Sequence, residues 1–267
     1  MGRETAMSLT GMSAINVELT SKCHRHTKCG FCYHQANPGL RKGDMPMSLL
    51  KDIRSQLSPG ILLQLHRDGD PLCFPALGEA LDLFDGFIRS IVTHGETLAE
   101  QADELIERCE AVTVSVFAPD ADADMQYQAV REFLAEKGDR LPRVLIKVVG
   151  GCDVTRYEEL GLPILRRRLH TEMNDRYVRT IPVLPESGIC QDFLSKPAIA
   201  WDGKVYQCVR FDDTDAGYLG SLYEYTLDEI WNGPLRQQWM QQHIAGRRDL
   251  ASPRCAQCTY YGIPVAS

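Results

Sequence analysis

The chain has 267 residues, 44% hydrophobic and 24% charged, enough to bury the core of one large domain or of a large and a small one. No run of about 18 apolar residues occurs, which excludes an apolar membrane span, and a net charge of −7 argues against non-specific grip on long nucleic acid. Residues 1–11 lack the basic and apolar regions of a secretory signal, so the cytoplasm is the expected location.

In chain order, Ser13–Leu19 alternates apolar and polar residues and predicts a strand. Ser48–Leu57 predicts a helix with Ser48 as its N-cap. Gly60–Leu65 is a second strand, ending in the turn Asp68-Gly69-Asp70-Pro71. Pro75–Phe87 is a helix with Leu77, Leu81 and Phe84 on one face. Ile88–Val92 is a third strand, ending at Thr93-His94-Gly95. Thr97–Arg108 (helix), Ala111–Val116 (strand), Met125–Lys137 (helix), Val144–Val149 (strand), Val154–Gly161 (short helix) and Ile164–Leu169 (strand) follow. This βα alternation predicts a parallel sheet or barrel, in which the loops after the strands carry the chemistry. After about Met173 the pattern breaks at Pro182, Pro185, Gly188 and Pro197. Ile199–Tyr206 then predicts a hairpin turning at Asp202-Gly203, and Leu227–His243 predicts a helix.

Ten cysteines are many for a reducing compartment, where clustering points to metal or redox chemistry more than to disulfides. Cys23, Cys29 and Cys32 follow the first predicted strand, and Cys190, Cys208, Cys255 and Cys258 lie late in the chain. Cys73, Cys109 and Cys152 stand alone and read as small buried apolar residues. Three close thiolates leave one position of a metal centre open, which favours a reaction site over a structural clip. Between Ser21 and Gly43 lie Lys22, Arg25, Lys28, Arg41 and Lys42 with no acidic residue. Two readings hold for these cations: they offset the thiolates of a bound cluster, or they welcome an anionic group such as phosphate or carboxylate.

The loop Cys23…Cys29-Gly30-Phe31-Cys32 resembles the radical S-adenosylmethionine (SAM) superfamily. There, three cysteines hold a [4Fe-4S] cluster whose fourth iron is chelated by SAM. The usual spacing is three residues and then two; here it is five and then two. Phe31 stands where the family packs the adenine. Asp68-Gly69-Asp70-Pro71 resembles the Gly-Gly-Glu-Pro turn that binds the SAM amino group, with Asp70 in place of Glu. Thr93-His94-Gly95 resembles the family's Thr-Asn-Gly, and Ser115 ends strand four, where a polar residue often meets SAM. The resemblance implies SAM contacts by Phe31, Gly69, Asp70, Thr93 and Ser115. It also implies an α/β fold, a partial (β/α)6 TIM-like barrel over residues 13–185. A three-cysteine zinc site completed by His24, His26 or His34 is the rival from the residues alone.

The late cysteines, with Trp201-Asp202-Gly203, Tyr218–Leu222 and Ile230-Trp231, resemble the twitch extension, a short relative of the SPASM domain. This implies a small α+β domain over residues 186–267 in which Cys190, Cys208, Cys255 and Cys258 hold a second, auxiliary [4Fe-4S] cluster. Four cysteines saturate such a cluster, leaving electron transfer or pocket shaping as its work. Trp201, Trp231 and Trp239 read as core, Arg166–Arg168 as a solvated face, and His94 and His170 as polar lining.

The implied activity is reductive cleavage of SAM to methionine and a 5′-deoxyadenosyl radical, which takes hydrogen from a small or anionic substrate and leads to dehydrogenation or isomerisation. The layout resembles the aminocyclitol dehydrogenases of antibiotic pathways. Phage isomerases of amino-acid-modified thymidine in DNA are a second class, which makes a modified nucleotide an alternative substrate. Peptide modification is a third, disfavoured because the short stretch before Ser13 leaves no room for a peptide-binding domain. A zinc-bound interaction protein is the non-enzymatic alternative. The implied partner is an electron donor such as flavodoxin or ferredoxin. Substrate identity and oligomeric state are not written in the sequence.

Overall fold

The structure is a computed structural model that describes residues 11–25, 28–29, 32, 39–167, 190–210 and 214–258. Six parallel strands and their helices alternate: β1 (Ala14–Val17), α1 (Met47–Gln56), β2 (Leu62–Gln64), α2 (Leu77–Leu83), β3 (Ile88–Thr93), α3 (Ala102–Leu105), β4 (Ala111–Val116), α4 (Ala123–Lys137), β5 (Arg143–Val149), α5 (Thr155–Glu158) and β6 (Ile164–Arg167). Then come α6 (Gln191–Ser195), β7 (Ala198–Ile199), β8 (Lys204–Tyr206), β9 (Tyr218–Ser221), α7 (Leu227–Trp231), α8 (Pro234–Ile244) and α9 (Pro253–Gln257).

All nine strands form one open sheet in the order β6-β5-β4-β3-β2-β1-β7-β8-β9. The βα alternation predicted from sequence is borne out, and the sheet does not close. One face carries Val17, Leu63, Ile91, Val112, Val114, Ile146 and Val148, packed into a single core with Leu50 and Ile53 of α1, Leu81 of α2 and Phe133 of α4. The opposite face follows from the period-2 alternation of side chains. Thr113 pairs with Leu145 and Ser115 with Lys147, all half-buried, so at β4 and β5 this face is partly open.

The hairpin predicted at Asp202-Gly203 forms, with Gly203 at φ 82°, a backbone angle that favours glycine. Its first strand runs parallel to β1, pairing Asn16 with Ala198 and Val17 with Ile199. The C-terminal segment therefore extends the barrel sheet. Glu18 sits at this seam, 1% exposed. Its carboxylate accepts from the backbone N–H of Asp68 at 3.0 Å and of Trp201 at 3.2 Å. Arg67 lies 3.8 Å away.

Burial, and then the nearby Asp68 carboxylate, push the Glu18 carboxyl up to about 7 from 4.5. A folded value above the unfolded one means that this group's contribution to stability is complete below pH 4.5 and is lost as pH rises through 7. The difference is worth about 3 kcal/mol. Glu18→Gln is expected to flatten the decline in unfolding midpoint between pH 5.5 and 8. It is also expected to cost about 1–2 kcal/mol, because one amide oxygen replaces two acceptors. Denaturant titrations across that pH range check both.

Several predicted helices are shorter. Helix α1 begins one residue before Ser48, with Pro46 at the N-cap position, φ fixed at −61°, and no side-chain cap. Within 97–108 only Ala102–Leu105 is helical, because Leu98, Ala102 and Glu104 donate to carbonyls three rather than four residues back. The predicted helix Leu227–His243 is two helices. Thr226 and Glu229 form a capping box on α7, and Pro234, which has no N–H to donate, starts α8. Trp231 and Trp239 are core, while Trp201 is half-buried. Arg166 lies exposed on the edge strand β6, 3.6 Å from Glu158. Arg168 and His170 lie outside the described residues.

Candidate active site

The loop leaving β1 brings three thiols to the C-terminal end of the sheet. Leu19, Thr20 and Ser21 are pinned to the segment 43–45: Ser21 N donates to Gly43 O at 3.0 Å and Met45 N to Leu19 O at 2.8 Å. Arg25 ties the described ends of the spacer to both flanking cysteines. Lys28 N and Cys29 N both donate to Arg25 O, at 2.9 and 3.3 Å, and Arg25 N donates to the Cys23 Sγ at 3.4 Å. Cys32 N donates to Cys29 O at 2.9 Å. Burial pushes the Cys23 and Cys29 thiols up, so they are neutral until a metal displaces their protons. Phe31, His26 and His34 lie outside the described residues.

The turn after β2 packs directly beneath this loop. A Cβ on Gly69 would come within 2.1 Å of Thr20 O and 2.6 Å of Lys22 O, so only glycine fits. Asp70 N donates to Lys22 O at 2.8 Å. The Asp70 carboxylate accepts from Leu72 N at 3.0 Å, Thr93 Oγ1 at 2.8 Å and His94 N at 3.0 Å. A carboxylate offers about four acceptor sites; at Asp70 one closes its own turn and two join the second strand loop to the third. Thr93 Oγ1 in turn accepts from Gly95 N at 2.9 Å. Gly69, Asp70 and Thr93 are thus brought together beside Cys23 and Cys29, and Cys32 is tied to Cys29 through its backbone. Ser115 stands apart from this knot: it is half-buried on the open face, and its carbonyl accepts from Gln126 Nε2 at 2.9 Å.

The cations of the cysteine loop pair mainly with protein acids, which the sequence concealed. Lys22 meets Asp44 at 2.5 Å, and Lys28 meets Asp122 at 2.9 Å and Glu96 at 3.3 Å. Arg25 meets Glu96, Asp120 and Asp122. Arg41 stacks over Trp201, 5.2 Å from the ring centroid. Cys73, isolated in sequence, lies beside Cys23; burial and Asp70 push its thiol up to about 11. Cys109 is fully buried and Cys152 packs at the edge of the core, as expected for small apolar residues.

The late cysteines line one small cavity, together with Asp192, Phe193, Gln207, Arg210, His243, Arg248 and Arg254. Cys190 stands at the start of α6, and Cys255 is held within α9 by Ser252, whose hydroxyl accepts from Cys255 N at 3.1 Å. Gln207 Nε2 donates to Cys255 Sγ at 3.2 Å, and His243 Nε2 lies 3.4 Å from the same sulfur. Burial draws His243 down to about 4, so it is neutral at pH 7. Four thiols around one cavity with three arginines suit an anionic iron–sulfur cluster. No disulfide joins the described cysteines. Among the described residues no three His, Cys, Asp or Glu side chains gather tightly enough to hold a single ion.

Residues 190–259 match the SPASM family, an iron-sulfur cluster-binding domain. The described residues share the fold of solved radical SAM enzymes that carry a SPASM or twitch extension. It is similar to BtrN, solved in complex with AdoMet and 2-DOIA, at 18% identity and TM-score 0.62, covering 94% of this chain and 98% of that one. It is similar to native anSMEcpe with bound AdoMet at 13% identity and TM-score 0.60, covering 84% and 82%. It is also similar to Streptococcus suis SuiB bound to precursor peptide SuiA, at 13% identity and TM-score 0.62, covering 84% of this chain and 65% of that one. No curated protein matches the sequence. Among the described residues no helix is long and apolar enough to cross a membrane.

Proposed function

We propose that the chain is a radical SAM dehydrogenase acting on a small molecule. Residues 13–185 form its catalytic core and 186–267 its auxiliary-cluster domain. Cys23, Cys29 and Cys32 would hold the [4Fe-4S] cluster that binds SAM, and Cys190, Cys208, Cys255 and Cys258 the second. When bound, these groups supply reductive cleavage of SAM and hydrogen-atom abstraction from carbon. The core's own residues fix the cysteine loop: Gly69 lets the second turn approach it, and Asp70 and Thr93 lock that turn to the third. A small-molecule substrate is supported by the nearly complete correspondence in length with BtrN.

The observation that carries dehydrogenation is the second cavity. Arg210, Arg248 and Arg254 line it, opposed by one carboxylate, Asp192, and Cys255 has two neighbouring hydrogen-bonding groups, from Gln207 and His243. Positive charge and hydrogen bonds to sulfur favour a cluster's reduced form, suiting it to take the electron left when a substrate radical loses a proton. Flavodoxin or ferredoxin would supply the first electron, in the cytoplasm.

Anaerobically reconstituted protein should hold about eight irons and eight sulfides. A candidate substrate deuterated at the reacting carbon should pass deuterium into 5′-deoxyadenosine and leave it there, with SAM consumed once per turnover. Return of deuterium to product would instead make the enzyme an isomerase, and a colourless zinc protein would end the proposal.

A further inference from the structure

We infer that Arg25, inside the five-residue spacer, is a positioning residue that holds the first cluster loop and sets the charge beside it; this rests on Cys23, Cys29 and Cys32 being cluster ligands. The residue reaches both flanking cysteines. Its backbone N–H donates to Cys23 Sγ at 3.4 Å and its carbonyl accepts from Cys29 N at 3.3 Å. The same guanidinium, 3% exposed, is anchored on the loops after β3 and β4. It lies 3.2 Å from Glu96 and 2.7 Å from Asp122, it pairs with Asp120, and it sits over the Phe117 ring. Asp120 also takes His94 Nε2 at 2.9 Å, and His94 N donates to Asp70. One side chain thereby couples the cysteine loop to the ends of three strands.

Lys28 reaches Glu96 and Asp122, but its side chain is 43% exposed and has no planar fork. Without Arg25, three carboxylates face anionic cluster thiolates, and among the described residues Lys28 is the cation left paired with two of them. Two consequences follow: a loop that loses its cluster readily, and a cluster that is harder to reduce.

The test uses the full chain, reconstituted anaerobically, as wild type and as Arg25→Ala, Arg25→Gln and Arg25→Lys. Arg25→Ala is expected to lose about half its iron, from about eight to about four per chain, with the auxiliary cluster's spectrum retained. Arg25→Lys is expected to restore most of the iron. Arg25→Gln is expected to shift the midpoint potential of the first cluster to more negative values and leave the second unmoved. Wild-type iron content and potential in all three variants would overturn the inference. So would loss of both clusters in Arg25→Ala and Arg25→Lys alike, which would make the role one of general folding. Failure of the parent reading shows separately, as a wild type that holds no cluster at Cys23, Cys29 and Cys32.

Discussion

Replacing Cys23, Cys29 and Cys32 together with alanine is expected to abolish 5′-deoxyadenosine formation from SAM under reducing conditions. About half the iron should remain, because the second set of cysteines lies in its own cavity with its own core of Phe193, Trp239 and Cys255. The fold should survive: the loop is exposed to solvent in part, and the elements that pin it, Gly69 against Thr20 and Asp70 against Thr93, involve none of the thiols. Chromatographic assay of 5′-deoxyadenosine beside iron analysis checks both halves. Continued formation of 5′-deoxyadenosine would remove this loop from the reaction.

Alanine at Cys255 and Cys258 has the opposite profile. Some SAM cleavage should persist, since the first loop is untouched, while product falls on the order of 100-fold or more. That magnitude follows because altering even the outer partners of a metal site costs about 10- to 100-fold. The uncoupling is the informative part: 5′-deoxyadenosine accumulates without matching product. Cys255 is also buried, so the double variant should unfold earlier. If product formation stayed at the wild-type rate, the second site would be structural and the case for dehydrogenation would fall.

Much of the frame was legible in sequence because it is written locally. Short apolar runs mark β1 to β6, and Ala111–Val116 has the predicted bounds. The turns at Gly69 and Thr93 were legible as positions but not as contacts. What joins them is Asp70, whose partners come from a strand 23 residues away. The acids that pair with Arg25 were hidden for the same reason: Asp120 lies 95 residues away and Asp122 97, and no local pattern ties them to a basic loop. Reading that loop by its own charges left two roles open, offsetting cluster thiolates or accepting an anion, and neither shows the ion pairs that its buried arginine and two of its lysines make with distant acids. Cys73 was misplaced likewise, alone in sequence and beside Cys23 in space. The single helix expected over Leu227–His243 failed on a local signal, Gly233-Pro234, that the apolar periodicity overrode.

The seam between β1 and β7 has a consequence for how the two halves can be handled. In the nine-strand ladder β1 is an interior strand, and the N–H groups of Ser13, Asn16 and Glu18 along it donate to the carbonyls of Ser195, Pro197 and Ile199. A chain ending before Cys190 would turn β1 into a bare sheet margin, all four of its residues apolar or amide. Such a margin is a template for intermolecular pairing, and Glu18 would lose its Trp201 partner beside it. Loss of the smaller part would then be felt first as aggregation of the larger, and only afterwards as missing redox chemistry.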